Sequence, residues 1–145
     1  KKIYFNRKRL MEFLEEFNKK FKYQYDRDQY DHRDAWYVMN HEPYNGDCED
    51  YSLTLLFNLK DRKWEKFLLS LLIRESKICH CKVKGNGHAV LRYKGRYIDN
   101  IQKKWCTKEY MENRDYKFSS WLYIPYQVVI KLVIGFFQTR KRKEI

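Results

Sequence analysis

The sequence predicts an α+β fold in which a central helix packs on an antiparallel sheet. Apolar residues recur at helical spacing in the first half of the chain, whereas they alternate at a period of two between residues 78 and 98. Glycine-containing turn sequences separate the alternating segments, as in a meander of antiparallel strands. The length of 145 residues suits one core, so we expect a single domain over residues 1–145.

The first helix is predicted to begin after Asn6, which is a good N-cap residue. One face of this helix carries apolar residues at i, i+3, i+4 and i+7, opposite Glu and Lys side chains: Leu10, Phe13, Leu14, Phe17 and Phe21. The aromatic and charged segment that follows, residues 21–34, predicts a short strand at residues 21–25 and then an ordered loop.

The second helix is predicted to begin at a cysteine, and we expect the rest of the fold to be organised around that point. Residues 43–46 have strong turn chemistry. Asp47 is a good N-cap, and Asp50 three residues later resembles a capping box. Cys48 therefore lies at the start of a helix over residues 48–60, and helical spacing continues over residues 64–75.

Three strands are predicted at residues 78–84, 88–93 and 96–100, with turns at 85–87 and 94–95. If Lys94 and Gly95 alone form the second turn, Val90 faces Asp99 across the hairpin. Side chains alternate between faces, so His88 shares the face of Val90 and is a diagonal neighbour of Asp99. Residues 108–112 predict a helical turn, and residues 125–137 are compatible with helix or strand.

Cys48, His88 and Asp99 together form the constellation of thiol nucleophilic catalysis. A helix N-terminus favours a thiolate, a neighbouring histidine can take the proton, and an acid fixes the tautomer of that histidine. A backbone N–H at the helix start can also donate to a developing oxyanion. The acids Asp47 and Glu49 oppose thiolate formation, unless they point away as caps or a cation such as Ca²⁺ neutralises them.

The motifs around these residues resemble the bacterial transglutaminase-like cysteine peptidases, the LapG-type relatives within the papain-like clan. The resemblance covers residues 34–101 and is carried by Asp34-Ala35-Trp36, Gly46-Asp47-Cys48-Glu49-Asp50-Tyr51, Gly87-His88-Ala89-Val90-Leu91 and Tyr97-Ile98-Asp99-Asn100. It implies a papain-like, transglutaminase-like α+β core with the nucleophile at the start of the central helix. The chain is shorter than the periplasmic members, and the resemblance does not explain its basic charge or its C-terminal tail.

The resemblance also implies residue roles: Cys48 as nucleophile, His88 as base and Asp99 as the acid that orients the histidine. The expected reaction is cleavage of an amide bond in a protein substrate through a thioester. No cofactor is required, but family members can bind calcium through the acids beside the cysteine, here Asp47 and Glu49. Trp36 is expected in the core, or alternatively as a wall or oxyanion donor near the thiol.

The charge of the chain leaves a second function class open. The net charge is +12, from 31 Lys and Arg against 19 Asp and Glu, and residues 139–143 form a basic tail. Such a surface attracts nucleic acid or anionic membrane. The alternatives are therefore a nucleic-acid- or membrane-surface-binding module with a non-catalytic triad, or a transglutaminase or deamidase that uses the same site.

The four cysteines do not match a disulfide framework. The Cys79-His80-Cys81 run with Cys106 has ligands suited to zinc, but alternation on a strand and the spacing favour packing. Residues 1–10 lack the apolar core of a signal peptide, and no apolar run reaches transmembrane length. The compartment stays open between periplasm and cytoplasm.

Overall fold

The computed structural model describes residues 2–23, 38–39, 44–122 and 128–133. Helices and an antiparallel sheet make up these residues, as the predicted α+β class requires. Residues 128–133 are also helical. The elements in chain order are α1 (Lys2–Lys20), β1 (Lys22–Tyr23), β2 (Asn45–Gly46), α2 (Cys48–Leu59), α3 (Trp64–Leu72), β3 (Ser76–Val83), β4 (Asn86–Tyr93), β5 (Arg96–Ile98), α4 (Lys108–Glu112) and β6 (Tyr116–Leu122).

The main sheet has the strand order β5-β4-β3-β6, and every neighbouring pair is antiparallel. The two-residue turn Lys84–Gly85 joins β3 to β4, and Lys94–Gly95 joins β4 to β5. All four turn residues have positive φ, at 51°, 82°, 49° and 79°. Positive φ at both central residues is the geometry of the type I′ turn, whose twist matches that of the flanking strands. The predicted meander is therefore confirmed, but its third strand ends at Ile98 rather than at the predicted residue 100. Asp99 Oδ1 accepts hydrogen bonds from the amides of Ile101 and Gln102, so the chain turns after Ile98.

The first of these turns lies one residue earlier than predicted. Residues 85–87 were expected to turn, but Asn86 pairs with Val83 and Gly87 pairs with Lys82 in the ladder. A Lys-Gly pair closes the hairpin with two residues, with glycine in the second left-handed position, so the asparagine after it is free to extend β4.

The edge strand β6 is not predicted by the sequence pattern. It pairs with β3 and crosses a register shift between Cys79 and Cys81. Because the residues of β6 lie more than thirty positions from their partners, no local turn signal marks the pairing. The short helix before it, α4, has the bounds that the sequence predicts, and its N-cap Thr107 accepts a hydrogen bond from the Tyr110 amide.

The second helix, α2, is central. It packs on the sheet mainly through β4, and it also contacts α1 and α3. Three of its leucines, Leu53, Leu55 and Leu56, have no exposed surface. Burial of each such side chain stabilises the fold by about 1.5–3 kcal/mol. The position of the helix start, and hence of Cys48, is therefore fixed by the largest core of the protein.

The first helix docks on α2 through aromatic rings. The ring of Phe17 lies 5.1 Å from that of Tyr51 and 5.5 Å from that of Phe13, between centroids. Helix α1 begins at Lys2, so the prediction that Asn6 caps it is wrong. No proline or glycine precedes Asn6, and asparagine costs well under 1 kcal/mol inside a helix, so a good cap residue did not stop helix formation upstream.

The remaining expectations concern helix ends and membranes. Helix α3 ends at Leu72, three residues before the predicted end, because residues 73–75 turn the chain into the strand that begins at Ser76. The predicted strand in residues 21–25 is present as β1, which pairs in parallel with β2. In the described part of the chain, no helix has both the length and the apolar character needed to cross a membrane. The basic tail at residues 139–143 lies outside the described residues.

Candidate active site

Cys48 is the first residue of α2, and a complete capping box holds this helix start. Asp47 Oδ1 accepts hydrogen bonds from the amides of Glu49 and Asp50, at 3.1 and 3.2 Å. In return, Asp50 Oδ2 accepts from the Asp47 amide at 3.3 Å. The predicted cap is confirmed, and it fixes the backbone on both sides of the cysteine.

The preceding glycine makes this cap possible. A Cβ at Gly46 would lie 2.7 Å from both Cβ and Oδ2 of Asp50, closer than non-bonded carbon atoms approach. Only a residue without a side chain therefore fits beside the capping carboxylate. This clash explains why a glycine stands directly before the Asp47 cap and Cys48.

The thiol of Cys48 is buried, with 6% of the residue exposed, and it contacts β4. The Ala89 amide donates a hydrogen bond to Sγ at 3.3 Å. That amide nitrogen is about 2.4 Å from the Cα of His88 through the peptide bond, so this Cα lies within about 6 Å of Sγ. The start of α2 thus docks at the point of the sheet where His88 lies.

The electrostatic surroundings of the thiol keep it protonated. Burial raises the pKa of Cys48 far above its usual value, the nearby carboxylates of Glu49 and Asp47 raise it further, and the Ala89 amide only partly offsets them. The thiol donates a hydrogen bond to Glu49 Oε2 at 3.0 Å. The acids beside the cysteine therefore oppose the thiolate, as the sequence indicated.

His88 and Asp99 form the predicted pair. The register Tyr93–Arg96, Arg92–Tyr97 and Leu91–Ile98 is the one expected from a two-residue turn. His88 Nε2 lies 2.8 Å from Asp99 Oδ2, and the two residues are 9% and 0% exposed. Because a carboxylate only accepts, Nε2 carries the proton, and Nδ1 is the ring nitrogen available for a second partner.

The carboxylate of Asp99 accepts four hydrogen bonds, two on each oxygen. Oδ1 accepts from the amides of Ile101 and Gln102 at 3.2 and 2.7 Å, and Oδ2 accepts from His88 and from the hydroxyl of Tyr116 at 2.5 Å. Burial alone would raise the pKa of Asp99, but these donors outweigh it and lower the pKa below the usual value. Asp99 is thus an ionised, immobilised acceptor.

Tyr116 is the residue that sequence reasoning missed. It is 2% exposed at the start of β6, and its ring meets that of His88 edge-on, with centroids 5.9 Å apart and planes at 75°. Burial and the Asp99 charge raise the pKa of Tyr116, so the hydroxyl keeps its proton. The alternating sequence Tyr-Lys-Phe at residues 116–118 is a signal for a strand, but it does not reveal which strand β6 joins.

A metal site is not preformed at the acids beside the cysteine. Oδ1 of Asp47 serves the helix cap, and Oε2 of Glu49 accepts a hydrogen bond from the thiol of Cys48. In the described ranges, no three His, Cys, Asp or Glu side chains converge on a point that could hold a metal ion. Ca²⁺ takes six to eight oxygen ligands, so this arrangement does not fit it, and calcium binding at Asp47 and Glu49 stays a prediction.

Other predicted site features lie apart from the thiol. Trp36 falls outside the described residues, so its position relative to Cys48 stays a prediction. All four cysteines are buried and unpaired, in keeping with a packing role for Cys79, Cys81 and Cys106. A cavity of about 640 Å³ lies between α1 and residues 103–105, and neither Cys48 nor His88 lines it.

A known protein family matches most of this chain. The sequence model of the family described as bacterial transglutaminase-like cysteine proteinase (BTLCP) matches residues 5–127, which include every element from β1 to β6. A comparison with curated proteins gives no significant match. The matched region contains the capped cysteine of α2 and the hydrogen-bonded histidine and aspartate of the sheet. The chain therefore belongs to the family of bacterial transglutaminase-like cysteine proteinases.

Proposed function

We propose that this cysteine proteinase cleaves an amide bond of a protein substrate with Cys48 as nucleophile, His88 as base and Asp99 as the acid that orients His88. One observation carries the assignment. His88 is bonded to a buried carboxylate and immediately precedes the amide that contacts Sγ of Cys48. A nucleophile, a base beside it and a third group that orients the base are the parts that thiol catalysis requires.

The reaction follows from which atoms are already engaged. Nε2 of His88 is held by Asp99, so Nδ1 takes the proton of Cys48 while Sγ attacks the carbonyl carbon. The tetrahedral intermediate collapses as the C–N bond breaks, and His88 gives the proton to the departing amine. Water then attacks the resulting thioester, with His88 again as base, and the acid product and the free thiol are released.

The helix start supplies the donor for the oxyanion. The amides of Glu49 and Asp50 are bonded to Asp47 Oδ1, so we assign the stabilising N–H to the amide of Cys48 itself, at the first helical position. The positive end of the α2 dipole also points at this position, which favours both the thiolate and the oxyanion.

The thiol–Glu49 hydrogen bond defines a resting state. With the thiol donating its hydrogen bond to Glu49 Oε2 and the pKa of Cys48 raised, the thiolate is scarce until the Glu49 carboxylate leaves Sγ. The carboxylate is partly exposed, so a substrate chain that enters over the helix start can displace it into water. Acylation therefore begins with the release of Glu49.

Iodoacetamide labelling tests the assignment without knowledge of the substrate. Whenever the Glu49 side chain leaves Sγ, His88 can take the thiol proton, so we expect Cys48 to be alkylated faster than Cys79, Cys81 and Cys106, as mapped by peptide mass spectrometry. Replacement of His88 by alanine should remove that advantage, because thiolate formation depends on the imidazole.

The matched control is His80→Ala, because His80 is bonded to Ser119 Oγ at 2.9 Å and lies on the neighbouring strand β3. It should leave labelling of Cys48 unchanged. Equal labelling of all four thiols in the unmodified protein would contradict the assignment. With a denatured protein as substrate, Cys48→Ala should abolish cleavage.

The acceptor of the acyl group is tested separately. The thioester on Cys48 can be resolved by water, which gives proteolysis or deamidation, or by a primary amine, which gives transglutamination. We expect water, so incubation with a fluorescent primary amine should leave the substrate unlabelled while peptide fragments appear. Amine incorporation without fragments would assign transglutaminase activity instead.

A further inference from the structure

We infer that Tyr116 is a positioning residue of this site. Its hydroxyl fixes the Asp99 carboxylate, and the fixed carboxylate in turn orients His88. The inference rests on the proposed function, because it assigns a role relative to Cys48, His88 and Asp99. It adds a fourth group that the sequence motifs of this chain do not contain, since Tyr116 lies beyond the last of them.

The geometry places three strands at one point. Asp99 follows β5, His88 lies in β4, and Tyr116 begins β6 at the opposite edge of the sheet. Between them lies β3, in which Cys81 pairs with His88 and Val83 pairs with Tyr116. The hydroxyl of Tyr116 thus reaches across the width of β3 to the carboxylate, and the bond joins the two edges of the four-stranded sheet.

Both donors to Asp99 Oδ2 are side chains, but only one of them, His88, changes its charge during the reaction. The two backbone donors to Oδ1 fix one oxygen. On Oδ2, His88 must gain and lose a proton at its other nitrogen during each cycle, whereas Tyr116 stays a neutral donor throughout. Tyr116 is therefore the partner that keeps Oδ2 in place while the charge of the imidazole changes.

The ring of Tyr116 restricts the same histidine. It meets the imidazole edge-on at 5.9 Å and packs against Phe118, with centroids 6.4 Å apart. A T-shaped contact of this kind disfavours rotation of the imidazole away from Asp99. Ring and hydroxyl thus act on the two members of one hydrogen bond, the ring on His88 and the hydroxyl on Asp99.

The test is Tyr116→Phe, which removes the hydroxyl and keeps the ring. Loss of a hydrogen bond to a charged group should slow alkylation of Cys48 by iodoacetamide about tenfold to a hundredfold near neutral pH. The acidic limb of the pH–rate profile should move to higher pH. One of the donors that lower the pKa of Asp99 is then gone, and a protonated Asp99 cannot support the imidazolium.

The matched control is Tyr110→Phe in α4. Tyr110 packs at the edge of the same apolar cluster and stacks with the guanidinium of Arg114, 3.5 Å from the ring centroid. This variant should leave both the rate and the profile as they are. A purely structural role for Tyr116 would lower thermal stability without moving the pH profile.

His88→Ala, measured in parallel, separates the two ways in which the inference can fail. If His88→Ala slows alkylation of Cys48 but Tyr116→Phe retains the rate and profile of the unmodified protein, the positioning role is overturned and the proposed function stands. If His88→Ala has no effect, the proposed function fails and the inference falls with it.

A second variant keeps the test decisive if Tyr116→Phe folds poorly, as shown by its near-ultraviolet circular dichroism. Replacement of Tyr116 by 4-aminophenylalanine keeps the ring and a para donor, and it should give an alkylation rate between those of the phenylalanine variant and the unmodified protein. In the ¹⁵N spectrum of the His88 ring, the Nε2–H tautomer should be retained. A folded 4-aminophenylalanine variant whose alkylation rate is no higher than that of Tyr116→Phe would overturn the inference, because the para donor would then contribute nothing.

Discussion

Replacing Glu49 with glutamine removes the negative charge that lies closest to the thiol of Cys48 while keeping the size of the side chain. The interacting atoms are 3.0 Å apart, so the Coulomb energy between the two unit charges is about 1.4 kcal/mol with the dielectric constant of water and about 5.5 kcal/mol at an effective value near 20. The smaller figure alone corresponds to about one pKa unit. The pKa of Cys48 should therefore fall by at least about one unit in Glu49→Gln.

The expected change in alkylation rate is smaller than the change in thiolate fraction. At a pH far below the pKa of Cys48, one unit increases the thiolate about tenfold, but the less basic sulfur is a weaker nucleophile, with a Brønsted coefficient of about 0.4–0.5. The net result is a rate about threefold higher, or more, and an inflection of the pH–rate profile at lower pH.

The assay is the iodoacetamide rate at Cys48 as a function of pH, at fixed ionic strength. Glu65→Gln is the matched control, because it makes the same charge change in the first turn of α3, away from the thiol. A rate at Cys48 that is unchanged or lower in Glu49→Gln would refute the reasoning. It would mean that the carboxylate helps to remove the thiol proton rather than to retain it.

Three further predictions follow from the described contacts. Asp99→Asn should lower turnover by up to about 10⁴-fold, as a wrong-tautomer substitution does in a serine protease triad. The folded-state pKa of Asp99 is lowered, so its stabilisation is present above the unfolded value near 3.8 and is lost as pH falls through the folded value; acid titration of the asparagine variant should lack that loss. Asp47→Ala should destabilise the fold by about 1 kcal/mol in thermal unfolding, whereas Lys63→Ala, at a helix start without a side-chain cap, should not. Leu53→Ala should cost about 2–5 kcal/mol in urea unfolding and the 66% exposed Leu72→Ala far less, and equal losses would contradict the central position of α2.

The part of the site that the sequence predicts is the part that local rules determine. The start of α2 follows from a cap, a capping box and helical spacing, all within residues 45–59. The pair of His88 with Asp99 follows from a two-residue turn, because the turn length fixes which residues share a face. Both predictions need only a few consecutive residues, and both are confirmed as geometry.

The parts that the sequence does not predict depend on distant partners. Strand β6 joins β3 across a register shift, and this pairing brings Tyr116 to Asp99. The burial of Cys48 and its bond to Glu49 likewise depend on how α2 docks on β4. The sequence predicts that the neighbouring acids disfavour the thiolate. The hydrogen bond from the thiol to Glu49, through which one of them does so, is visible only in the structure.

The steric contact at Gly46 couples two properties of the protein that usually vary independently. An added methyl group there would displace the Asp50 carboxylate from the amide of Asp47 and open the cap. Gly46 is also paired with Tyr23, so the chain has little freedom to shift away. Any displacement would pass directly to the neighbouring turn and alter the distance between Sγ and the Ala89 amide. A substitution at this position therefore cannot raise thiol reactivity at the expense of thermal stability. The same clash lowers thermal stability and moves the thiol out of alignment.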